Sequence, residues 1–115
     1  MRPGARLSAA IEILADMEAR HRPVAEALKD WGLAHRFAGA GDRAAIGNVV
    51  YDVLRWRLSS AWAMDEETPR ALVLATVGRR WGLGSTGLAT LFAGDAHAPA
   101  PLTTAEAALV DLTDR

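Results

Sequence analysis

The chain has 115 residues, room for one domain and too few for two. Half of it is apolar and four residues are tryptophan, a composition that supports a packed core rather than a disordered chain. It has no cysteine, which excludes disulfides, thiolate zinc sites and cysteine nucleophiles, and its net charge of −1 gives no global pull toward nucleic acid or an anionic membrane.

The charge is unevenly spread. Residues 1–57 hold nine basic and seven acidic side chains, whereas residues 58–115 hold four and seven. Of the 13 basic residues only Lys29 is a lysine. Arginine suits planar, bidentate phosphate contacts, although a GC-rich genome would also favour its codons. No apolar run approaches the ~20 residues of a membrane span. The N-terminal stretch is interrupted by Glu12 and Asp16 and lacks the apolar centre of a secretion signal. A cytoplasmic protein without a membrane partner is expected.

In chain order, Leu7, Ala10, Ile11, Leu14 and Met17 mark one apolar stripe and predict a first helix over Gly4–Ala19. Pro23 suits the first position of a second helix, with Val24, Ala27, Leu28 and Trp31 on one face and Gly32 as a left-handed cap. His35-Arg36-Phe37 reads as a short turn before a flexible break at residues 38–41. Asp42 is expected to cap the longest helix, Arg43–Ala63, whose apolar face is Ile46, Val50, Val53, Leu54 and Ala61. Asn48, Asp52, Arg55 and Ser59 fall opposite. Arg43 and Arg57 project into the apolar stripe and are expected to be half-buried structural arginines paired with acids. So broad an apolar face points to a central position in the bundle.

Thr68 and Pro69 predict the start of a fourth helix, with Val73, Leu74, Val77 and Trp81 buried and Gly82 ending it. Ser85 is expected to cap a fifth helix, Thr86–Ala93. Asp95–Pro101 is an extended connector, and Thr103 with Glu106 forms a capping box opening a last helix. No stretch alternates with period two. The fold class is all-α, a bundle of about six helices in a single domain, residues 1–115.

The search for chemistry yields little. Gly82-Leu-Gly84-Ser-Thr-Gly87 follows a helix rather than a strand and lacks the lysine of a phosphate loop. His21, His35 and His97 have no partners at metal spacing, so no metal site is expected. Asp65, Glu66 and Glu67 are explained by the positive end of the following helix dipole. Glu26 and Asp30 form a solvated face, and no nucleophile, base and orienting group come together. Catalysis by this chain alone is therefore not expected. The remaining candidate is a basic surface for RNA made of Arg2, Arg6, Arg36 and Arg55, with Arg20 and Arg22 nearby in the first connector. Tyr51 or Phe37 could stack on bases, whereas Trp31 reads as core.

The segment Gly41-Asp-Arg-Ala-Ala-Ile-Gly-Asn-Val-Val-Tyr-Asp-Val-Leu-Arg-Trp-Arg57 resembles the NusB-like helical domain, in which an Asp-Arg step opens a long helix. With Arg22–Trp31, His35–Gly39 and His97–Leu102, the chain is most similar to the N-terminal NusB-like domain of the Sun/Fmu (RsmB-type) rRNA cytosine-5 methyltransferases. The resemblance covers nearly the whole chain. It implies a non-catalytic accessory domain that places small-subunit rRNA before a methyltransferase domain. That family transfers a methyl group from S-adenosylmethionine with paired cysteines in a Rossmann-like domain. This chain has neither the cysteines nor a cofactor-binding glycine-rich turn, so no catalytic residue carries over and the cofactor is expected in the missing domain. The acidic second half and the helix Thr103–Asp114 are expected to face that domain. Two alternatives are an interdomain or protein-interaction scaffold and a stand-alone antitermination factor of the NusB type.

Overall fold

The structure, a computed structural model, describes residues 1–112; Asp114, at the end of the expected last helix, lies outside them. Among the described residues there are seven α-helices and no strand: α1 Pro3–Arg20, α2 Val24–Ala34, α3 Ala40–Arg55, α4 Arg57–Met64, α5 Pro69–Ala75, α6 Gly84–Phe92 and α7 Thr104–Asp111. A π-helical run, Thr76–Arg80, continues α5 without a break. The all-α bundle is as the hydrophobic periodicity predicts.

Several helix ends follow from local chemistry that the sequence announces. Thr68 Oγ1 accepts the Ala71 N–H at 3.2 Å, and Pro69 occupies the first helical position of α5. Thr103 and Glu106 exchange bonds of 3.1 and 2.9 Å in the capping box of α7. Gly82 is left-handed, with φ of 82°, past the end of the π-helical run.

Other ends differ. Gly32 is not a left-handed cap but a buried residue inside α2, which runs on to Ala34. A methyl group at Gly32 would come within 3.2 Å of the Arg43 Cδ, so the glycine serves close packing of α2 on α3. Asp42 is not the N-cap of α3. Gly39 holds that position and Asp42 stands three residues on, where its carboxylate accepts the Gly39 N–H at 3.3 Å. Leu83, not Ser85, precedes α6. Ser85 instead directs its N–H and its hydroxyl at the Asp111 carboxylate, tying the start of α6 to the end of α7.

The expected single helix Arg43–Ala63 is two helices that meet at Trp56, whose φ and ψ of −111° and 23° leave the helical region. The Trp56 carbonyl accepts both the Ser60 N–H at 2.9 Å and the Ser59 hydroxyl at 3.1 Å where the two helices meet.

The central element is α5 rather than α3. Every residue from 71 to 78 is buried, so this helix is enclosed on all sides. Around it lie Leu7, Ala10, Ile13 and Leu14 of α1, Ile46, Val49, Val50 and Val53 of α3, Met64 of α4, Leu88 and Phe92 of α6 and Val110 of α7. Gly78 makes a tight approach: a methyl group there would lie 2.7 Å from Val110 and 2.8 Å from Leu88. Trp81 was expected in the buried face but is 41% exposed. The wider i→i+5 turn, closed by the Trp81 N–H on the Thr76 carbonyl at 2.9 Å, shifts its phase away from Val77. Its indole N–H then donates to Asp52 of α3 at 2.7 Å.

Candidate nucleic-acid interface

The four arginines assigned to RNA do not form one patch. Arg2 donates to the Gly94 carbonyl at 3.0 Å, in the connector after α6. Arg6 is held by Asp42, Nε to Oδ1 at 2.9 Å and Nη2 to Oδ1 at 2.8 Å. Arg36 is exposed in the turn before α3. Arg55 is exposed at the last residue of α3, roughly 20 Å from Asp42 at 1.5 Å per residue. Arg6 thus belongs to the junction of α1 with the first turn of α3, Arg2 to the contact with the connector after α6, and Arg55 to the opposite end of α3.

Asp42 is the hub of that junction. Its carboxylate accepts from Arg6, from the Met1 ammonium at 3.3 Å and from the Gly39 N–H. The Arg6 hydrogen bond is the main reason its carboxyl stays below the usual 3.8. The structural role read for Asp42 therefore comes with a different geometry from a cap.

Arg43 and Arg57 are more exposed than their helical phase implies. Arg57 donates to Glu67 at 3.0 Å, with about half of its side chain in solvent. Arg43 is an exposed residue, and among the described residues no carboxylate lies within ion-pair distance of it. The physical reason is the packing of α3: its buried stripe is Ile46, Val49, Val50 and Val53, which leaves Arg43 on the flank beside Gly32.

Three further arginines have defined roles that pattern reading missed. Arg22 sits among Asp16, Glu26 and Asp30, and its hydrogen bond to Asp30 raises its pKa further. The spacing Arg22, Glu26, Asp30 was a visible signal for this cluster. Arg79 donates to the carbonyls of Leu109 at 2.8 Å, Val110 at 3.3 Å and Leu112, placing a cation at the negative end of α7. Arg80 lies over the Trp56 ring, 3.6 Å from its centroid. No sequence signal links Arg79 or Arg80 to residues some 24–33 positions away.

The outward face of α3 is the best-formed nucleic-acid candidate. Asn48, Tyr51 and Arg55 are exposed and, at 100° per residue, fall within about 60° of one another. The Tyr51 ring is half exposed, and no carboxylate among the described residues pairs with Arg55. The face combines an amide for base edges, an aromatic plane for stacking and a cation for phosphate.

Elsewhere, His35 stacks on Trp31 with centroids 4.2 Å apart, and Phe37 meets His35 edge-on at 5.9 Å. Trp31 packs against the core, as its phase predicts. His35 Nδ1 lies 2.8 Å from the Trp31 carbonyl, and the His97 N–H donates to Asp95. His21 is the left-handed residue ending α1. Among the described residues no three His, Asp or Glu side chains converge as they would to hold a metal ion, and no helix is long and apolar enough to cross a membrane.

No protein-family model, curated protein or solved structure matches the chain.

Proposed function

We propose that this chain is an accessory domain that engages RNA for an S-adenosylmethionine-dependent small-subunit rRNA cytosine-5 methyltransferase of the Sun/Fmu type. The reading starts from the resemblance of residues 41–57 to the NusB-like domain. The observation that carries it is the outward face of α3, within that same segment, where Asn48, Tyr51 and Arg55 stand exposed together. Methyl transfer belongs to a separate domain that supplies the cysteines and holds the cofactor. Alone, a chain of net charge −1 releases few counterions and binds weakly.

Fluorescence anisotropy of labelled small-subunit rRNA fragments at two salt concentrations tests this. Tyr51→Ala removes a stacking plane worth about 1–3 kcal/mol per base. Arg55→Gln should reduce the salt slope by about one. Absent binding, salt-insensitive binding, or binding unchanged in both variants overturns the reading.

A second reading, an interdomain docking module, is favoured by a different observation. Leu58 and Trp62, one turn apart on α4, are 82% and 63% exposed, and Asp65, Glu66 and Glu67 follow them. An apolar pair rimmed by acids suits a protein partner.

A further inference from the structure

The cleft between α4 and the π-helical end of α5 has a composition that neither the exposed α3 face nor the apolar α4 pair explains. It has a volume of about 300 Å³ and is lined by Ser59, Ser60, Ala63, Ala75, Arg79 and Arg80. Two arginines and two serines contribute to its lining, and among the described residues no carboxylate does.

Arg80 is oriented by an aromatic ring. The Arg80 guanidinium carbon lies over the Trp56 ring, 3.6 Å from its centroid, a contact that positions the cation while its N–H groups can still donate to a ligand. Arg79 is anchored through Nη1 on the carbonyls that end α7. The Ser59 hydroxyl donates to the Trp56 carbonyl and can turn about its Cβ–Oγ bond to donate elsewhere. Positive charge held in place beside rotatable hydroxyl donors is the arrangement that a tetrahedral oxyanion requires.

We propose that this cleft binds a phosphate group through Arg80 and the serine hydroxyls, and that its occupant is a backbone phosphodiester of the RNA. The inference rests on the RNA reading for its occupant. The residue that Arg80 covers, Trp56, directly follows Arg55, so the cleft lies just past the C-terminal end of α3 and gives the strand a further phosphate contact next to Arg55.

Two arms test the site and its occupant separately. In the first, inorganic phosphate is titrated into the full chain at low ionic strength, with chloride as control, and amide and indole N–H resonances are followed. Saturable shifts concentrated at Ser59, Ser60, Arg80 and the Trp56 indole, lost in Arg80→Gln, support the cleft. Shifts that are absent, spread over the surface or retained in Arg80→Gln overturn it. In the second, Arg80→Gln should weaken binding of a single-stranded rRNA oligonucleotide and lower the salt slope by about one. RNA binding that Arg80→Gln leaves unchanged overturns the phosphodiester assignment while the α3 reading stands. Phosphate binding in the cleft without any RNA binding keeps the oxyanion site and overturns the RNA reading. Circular dichroism of Arg80→Gln confirms that the exposed substitution leaves the helices in place.

Discussion

Arg70 grips Glu106 through two parallel bonds, Nε to Oε2 at 2.9 Å and Nη2 to Oε1 at 3.0 Å, joining the start of α5 to the first turn of α7. Glu106 also accepts the Thr103 N–H in the capping box, and Arg70 reaches the Pro101 carbonyl at 3.1 Å. One ion pair therefore serves both helix docking and helix capping.

That pair predicts an acid-sensitive contact. The Arg70 hydrogen bond holds the Glu106 carboxyl below its ordinary value of 4.5, against the opposing effect of partial burial. A carboxyl depressed in the folded state stabilises fully above its unfolded value and loses that contribution as pH falls through the folded one. Glu106→Gln should cost about 1–2 kcal/mol near neutral pH, for a charged bond that is largely but not wholly shielded. Urea unfolding at pH 7 and below 4 should show the difference from the parent shrinking in acid. A difference that persists unchanged in acid refutes the assignment.

Glycines predict opposite effects at two sites. Gly4 brings α1 against the end of α6: a methyl group there would meet the Leu91 carbonyl oxygen at 2.7 Å and Ala98 at 2.8 Å. Backbone cannot yield as a side-chain tip can, so Gly4→Ala should destabilise by about 1–3 kcal/mol. Gly47 lies inside α3 with nothing within 4 Å of an added methyl group. Gly47→Ala should stabilise by roughly 0.5–1 kcal/mol, through the entropy of the unfolded chain. Thermal melts of the two variants should move in opposite directions.

How far the sequence reached depends on the range of each interaction. The apolar stripe of α1, the Thr68-Pro69 start and the Thr103–Glu106 box were legible because each lies within one or two helical turns. The break at Trp56 was not, since a straight continuation keeps Ser60 and Met64 in phase with Val53 and the pattern shows no interruption. The π-helical turn was nearly as silent: it changes the phase of Trp81 without a proline, and its one interior glycine, Gly78, reads equally well as a close-packing residue. For the basic surface, sequence could name arginines but not their partners. Arg6 found Asp42 36 positions away, while Arg80, unremarked in the pattern, came to rest on Trp56. Arg55 was the exception, because its phase on a helix with a clear buried stripe already placed it with Asn48 on the outer face, whereas the phase of Tyr51 left it on the flank of that stripe.

Asp42 predicts a local rather than a global effect. Its carboxylate joins α1, α3 and the chain's first residue at the surface. Asp42→Asn keeps the shape and removes the charge, so amide exchange should quicken in the first turns of α1 and α3 and stay unchanged in α5. In the parent chain the same loosening should appear only as pH falls below the usual 3.8 of the carboxyl, since Arg6 holds the folded value lower still. Uniform acceleration across all helices would contradict this local role.

The α4 surface separates folding from docking. Leu58 is 82% exposed and contributes little to the core, so Leu58→Glu should change stability by no more than about 0.5 kcal/mol. If Leu58 and Trp62 meet a methyltransferase domain, the same substitution removes a side chain whose full burial is worth about 1.5–3 kcal/mol. It also sets a new carboxylate beside Asp65, Glu66 and Glu67, at a site that must be desolvated on association. Association measured by calorimetry should then weaken by roughly ten- to a hundredfold, while RNA affinity through Tyr51 and Arg55 stays constant. An unchanged association constant would assign the docking face elsewhere, and a parallel loss of RNA affinity would show that α4, not α3, carries the RNA contact.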